Sequence, residues 1–79
     1  MLFRSAELAD HMTDDALTDR EVAVLRRVSM GNSNKIIAAE LNLSEATVKG
    51  HMKSILAKLQ ANDRTHAVMI AIKRGFLEG

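Results

Sequence analysis

Only three residues, Asn42, Leu43 and Ser44, separate two stretches of helical apolar periodicity, and no other feature of the chain constrains its fold as much. Ile36, Ile37, Ala39, Glu40 and Leu41 belong to the first stretch. Val48, Met52, Ile55, Leu56 and Leu59 form one face of the second at spacings of three and four. So short a connection forces a sharp corner, which requires a small side chain where the helices meet and a residue that tolerates a left-handed backbone. Ala38, four residues before the turn, meets the first need and Asn42 the second. Ile37, Leu41, Leu43 and Val48 are the apolar residues available to lock the corner.

The remaining punctuation is also helical. Thr18 is followed three residues later by Glu21, a capping box with Leu17 placed as a hydrophobic staple. It predicts a first helix over 19–29. There Val22, Leu25, Arg26 and Ser29 share a stripe that Val24 and Val28 widen, and Gly31 ends the helix. "NSN" at 32–34 caps a second helix over 34–41, and Ser44, with Glu45 behind it, caps a third over 45–59. Asn62 and Asp63 cap a fourth over 64–74, before Gly75 supplies a left-handed exit. The chain has no proline and is rich in Ala, Leu, Ile, Val and Met, which agrees with an all-α, compact four-helix domain over 17–79. Residues 1–16 read as a tail or linker remnant in which Leu2, Phe3, Leu8 and Met12 can form at most a weak helical turn or two.

The corner is the pattern of a helix-turn-helix, in which the helix over 34–41 braces the helix over 45–59 for insertion into a DNA major groove. The outer face of that third helix fits the task. Ala46, Lys49, Gly50 and Lys53 follow an i, i+3, i+4, i+7 pattern opposite the apolar stripe and include no acid. A glycine inside a helix costs roughly 1 kcal/mol relative to alanine. A helix of about 10–12 Å diameter entering a groove about 12 Å wide gives a reason for it. Ala46 and Gly50 remove bulk, while Lys49 and Lys53 reach bases or phosphates. Lys35 and Thr47 lie in first turns, where free N–H groups also favour an anion.

Charge is segregated in the same sense. Residues 1–25 hold two arginines against six acids, a charge of −4, and residues 26–79 hold nine cations against four acids, a charge of +5. A basic part of this kind fits an anionic partner. With no cysteine, neither a disulfide nor a thiolate zinc site is available. His11, His51 and His66 have no spacing that places two ligands on one helical face. There is no glycine-rich phosphate loop and no nucleophile paired with a base. These features exclude a recognisable enzyme, cofactor or metal site, and Ser33 and Ser44 are explained as caps. The absence of a leader and of a long apolar run predicts a cytoplasmic protein without membrane association.

The stretch "LTDREVAVLRRVSMGNSNKIIAAELNLSEATVKGHMKSILAKL", followed by "NDRTHAVMIAIKRG", resembles the LuxR-type, or GerE-type, DNA-binding domain of bacterial transcription regulators. The similarity extends over 17–77, with Thr18, Arg20, Glu21, Gly31, Asn34, Lys35, Ile37, Ala38, Leu41, Ser44, Thr47, Val48, Lys49, His51, Ile55, Lys58, Leu59, Arg64, Ala67 and Gly75 in register. The resemblance implies a domain that binds double-stranded DNA as a dimer. In its NarL/FixJ branch the base-facing positions are those of Lys49, Gly50 and Lys53. Backbone contacts fall at Asn34, Lys35, Thr47, His51 and Lys58, with the cap Ser44 placed among them. Two positions depart from the pattern: Gly50 stands where some relatives have valine, and Asn42 where glycine is more frequent.

The fourth helix is apolar over more of its circumference than one core needs. Arg64, Ala67, Val68 and Ala71 define one face, yet Met69, Ile70 and Ile72 project elsewhere. The resemblance implies a two-fold contact with Met69 and Ile70 near its centre and His66 and Lys73 at its rim. Packing under the amino-terminal tail is the alternative. A further reading from another class is an adaptor that docks on RNA polymerase or another regulator. It calls for large apolar anchors where the third helix instead presents small residues and lysines. Relatives carry this domain alone or behind a receiver or sensor, and residues 1–16 fit a native tail and a linker remnant equally.

Overall fold

The computed structural model describes residues 16–78, and the weak helical turn expected of Leu2, Phe3, Leu8 and Met12 lies outside them. Four helices follow in order: α1 (Asp19–Ser29), α2 (Asn34–Leu41), α3 (Glu45–Leu59) and α4 (Arg64–Lys73). Each starts on a side chain that accepts a first-turn N–H. Thr18 Oγ1 takes Glu21 N–H at 3.1 Å while Glu21 Oε1 takes Thr18 N–H at 2.9 Å, completing the capping box. Ser33, Ser44 and Asp63 accept from Ile36, Thr47 and His66 in the same way.

All four helices also end alike. In each, an N–H bonds back to the carbonyl five residues earlier: Asn32 to Arg27, Leu43 to Ala38, Ala61 to Leu56 and Phe76 to Ala71. The residue before each of those donors has positive φ: Gly31 (88°), Asn42 (58°), Gln60 (54°) and Gly75 (86°). Gly31, Asn42 and Gly75 are the exits expected from sequence, and Gln60 is a fourth. The fourth helix stops at Lys73 rather than 74, with Arg74 as its cap.

The core is assembled mainly around α3, which packs against α1, α2 and α4. Val48, Met52, Ile55 and Leu59 are buried along one side of α3 and meet Val24 and Leu25 of α1, Ile37 and Ala38 of α2, and Ala67 and Ala71 of α4. Beyond Gly75 the chain turns back so that Leu77 closes the bottom of this core. The α1 stripe differs from expectation. Arg26 and Ser29 are exposed, and the inward face runs through Glu21, Val24, Leu25 and Val28. At the corner, Leu43 N–H reaches Ala38 O at 2.8 Å over the left-handed Asn42, and the side chains of Leu41 and Leu43 pack against the core. An ion pair between Arg27 Nε and Glu40 Oε1, 2.9 Å, joins α1 to α2.

Candidate nucleic-acid interface

With Val48, Met52, Ile55 and Leu59 turned inward, the helical repeat turns Ala46, Lys49, Gly50 and Lys53 outward, and all four are exposed. A Cβ built on Gly50 would meet nothing within 4 Å. The fold therefore supplies no steric reason for glycine there. The outward strip is smooth in its middle and has a lysine on either side of the gap.

The amino-terminal turn of α3 is ordered by two neighbouring hydroxyls. Ser44 Oγ accepts Thr47 N–H at 3.0 Å and donates its own proton to Thr47 Oγ1 at 2.9 Å. Thr47 Oγ1, which accepts from Ser44, retains its own hydroxyl proton to donate. Beside this turn lies a cleft of about 560 Å³, lined among others by Ser33, Asn34, Lys35, Glu45, Lys49 and Arg64. It brings the first turns of α2, α3 and α4 to one place and sets three cations against a single carboxylate. A cleft of this charge suits an anion.

Of the sequence-derived positions, Asn34, Lys35 and Lys49 meet in this cleft, with Ser44 and Thr47 on the adjoining turn. His51 is half-buried on α3. Lys58 is turned inward: its Nζ lies 2.8 Å from Glu21 Oε1, and only a quarter of its side-chain surface is exposed. Glu21 is 4% exposed and also accepts from Ser54 Oγ at 2.8 Å and from Thr18 N–H. Burial pushes its carboxyl up, but the hydrogen bonds from Lys58, Thr18 and Ser54 and the Lys58 charge outweigh burial and hold it below the ordinary carboxylate value. On α4, Met69 and Ile72 are exposed, whereas Ile70 is half-buried against the domain's own core. His66 Nδ1 accepts Asn62 N–H at 3.0 Å and so belongs to the cap of α4, and Lys73 is exposed. Among the described residues no cluster of His, Asp or Glu could hold a metal ion, and no helix is long and apolar enough to cross a membrane.

The model of the family of bacterial regulatory proteins known as luxR, or GerE, matches residues 15–71. The chain belongs to the LuxR family. LuxR-family membership places it among DNA-binding helix-turn-helix domains of transcription regulators, which are not enzymes. The chain is 50% identical over 56 residues to the nitrate/nitrite response regulator protein homolog of Haemophilus influenzae, covering 71% of this chain and 27% of that protein. It is 49% identical over 61 residues to the transcriptional regulatory protein YdfI of Bacillus subtilis, covering 77% of this chain and 29% of that one. A crystal structure of the response regulator ChrA of a heme-sensing two-component system superposes with a TM-score of 0.76 at 40% identity, covering 78% of this chain and 31% of ChrA. The LuxR-family chain thus spans less than a third of the length of these relatives.

Two features of this LuxR-family domain escaped sequence reasoning. Glu21 reads as a capping residue, and its partners Ser54 and Lys58 lie 33 and 37 residues away. Arg64 reads as part of the inward face of α4, yet its guanidinium bridges to Asn32 and Asn34 at the start of α2.

Proposed function

We propose that the domain binds double-stranded DNA sequence-specifically, with α3 in the major groove, to regulate transcription in the bacterial cytoplasm. The outward strip of α3 carries this reading. Lys49 and Lys53 are exposed on either side of the side-chain-free Gly50, with no acid on the strip, so the backbone can approach base edges closely. Lysines at these positions suit guanine O6 and N7. Lys35, Asn34, Thr47 and His51 flank the strip, where they would hold phosphates and set the register, while Ser44 orients Thr47 and Lys58 stands behind them at Glu21. Phosphate contacts supply most of the salt-dependent affinity and base contacts the specificity.

The domain acts as a homodimer in this reading, through the exposed part of α4. Met69 lies near the centre of the contact, Ile72 beside it, Ile70 beneath, and His66 and Lys73 at the rim. Paired domains read two inverted half-sites. Contact with RNA polymerase is then a matter for the face left free on the DNA-bound pair.

Selection of the purified chain against a randomised duplex pool at near-physiological salt, with sequencing of the bound fraction, tests the proposal. Enrichment of a defined half-site, repeated in inverted order, is the expected result. Binding without enrichment would reduce the contact to phosphates alone, and no binding would favour a protein-docking role.

A further inference from the structure

Arg64 reaches from the first turn of α4 to the start of α2. Its Nη2 donates to the backbone oxygen of Asn32 at 3.1 Å and its Nη1 to Oδ1 of Asn34. A guanidinium has five N–H donors and no acceptor. The atom of Asn34 that faces it must therefore be the amide oxygen, which turns the Nδ2 end the other way. An unrestrained asparagine can present either end to a partner, and its oxygen end would repel a phosphate. Arg64 removes that orientation.

The surroundings indicate what the freed N–H groups are for. Asn34 lines the same cleft as Lys35 and Lys49, where cations exceed acids three to one. We infer that Arg64 is a positioning residue that fixes the Asn34 side chain with its Nδ2 amide as a hydrogen-bond donor to a phosphate oxygen of duplex DNA. The inference rests on the DNA-binding reading above and assigns Arg64 a role through Asn34 rather than at the DNA itself.

The test is a double-mutant cycle by fluorescence anisotropy on a fluorescein-labelled duplex of mixed sequence, with helicity and thermal unfolding followed in parallel. Arg64→Lys keeps the charge but loses the fork that grips Asn32 and Asn34. Asn34→Ala removes the donor without a change of charge. Each single variant is expected to bind about three- to tenfold more weakly, and Arg64→Lys to add nothing in the Asn34→Ala background. Because asparagine is neutral, the salt dependence of binding should keep its wild-type slope in Asn34→Ala. Equal losses from Arg64→Lys in both backgrounds, or wild-type binding by Asn34→Ala, would overturn the inference. Should Arg64→Lys fail to fold, Arg64→Gln takes its place in the cycle, at a salt concentration high enough to mute the lost charge: no further loss in the Asn34→Ala background is expected, and an equal loss in both backgrounds would overturn the inference. A wild-type chain that binds no duplex sinks the DNA-binding reading itself, which separates that failure from this one.

Discussion

Lys58 Nζ and Glu21 Oε1, 37 residues apart in sequence, lie 2.8 Å from each other and fasten the carboxy-terminal half of α3 to the first turn of α1. Ser54 Oγ, one turn earlier on α3, donates to the other oxygen of the same carboxylate at 2.8 Å. The carboxylate that caps α1 therefore also fixes the height and rotation of α3.

The pH dependence of stability follows from this arrangement. The folded state holds the Glu21 carboxyl below its ordinary value of 4.5. Its contribution is complete above that value and is lost as pH falls through the lower folded value. Thermal stability should therefore fall from about pH 5 downward, and Glu21→Gln should make that decline shallower. At neutral pH the same substitution should cost about 1–3 kcal/mol, because the amide oxygen can keep Thr18 and Lys58 only by turning its NH2 toward Ser54, and the charge that pairs with Lys58 is lost. Calorimetry across that range checks both statements.

Gly50→Ala should raise stability by up to about 1 kcal/mol, since the added Cβ meets open space and alanine is the better helix former. The same variant should bind DNA differently, with lower affinity or an altered preferred base. Thermal melts paired with binding to the selected half-site measure the two effects. A stability gain with unchanged binding would remove Gly50 from the reading surface.

Gln60 ends α3 at φ 54° without glycine's freedom. Gln60→Gly should stabilise the domain by about 0.5–1 kcal/mol, because the left-handed backbone costs a side-chain-bearing residue about 1–2 kcal/mol and the greater entropy of unfolded glycine offsets part of the gain. Denaturant midpoints at unchanged slope are the appropriate measure.

Lys49→Ala should lose about 1–3 kcal/mol of discrimination at one base position. Binding across single-base variants of the selected site reads this directly, and an even loss over all variants would reassign Lys49 to a phosphate.

Met69→Glu should leave the isolated domain within about 0.5 kcal/mol of wild type, since Met69 is 57% exposed. It should instead weaken binding to a site with two half-sites far more than to a single one. Equal effects on the two duplexes would place the contact between copies elsewhere.

What the sequence made legible was local or periodic. The caps at Thr18, Ser33, Ser44 and Asp63, the left-handed Asn42 and the two faces of α3 all follow from residue type within one or two turns. Gln60 did not, because nothing about glutamine marks a left-handed residue; the bond from Ala61 N–H to Leu56 O accompanies it there. Glu21 was visible only in its capping role, since its bonds to Ser54 and Lys58 depend on how α1 crosses α3. For the same reason Lys58, free on a helical projection, is engaged by an acid, and Ile70, expected at an outer contact, lies half in the core. Arg64 and Asn34 meet across 30 residues, and no spacing rule foretells that pairing.

The division of α3 into a seam that touches every other helix and an outer strip that Gly50 leaves bare makes the domain a natural starting point for reprogramming. A combinatorial library restricted to positions 46, 49, 50 and 53 leaves every buried residue of the helix untouched. Members without proline should fold, and on the proposed reading selection would sort them by operator preference. New sequence specificities would then be reached through surface changes that never disturb the scaffold.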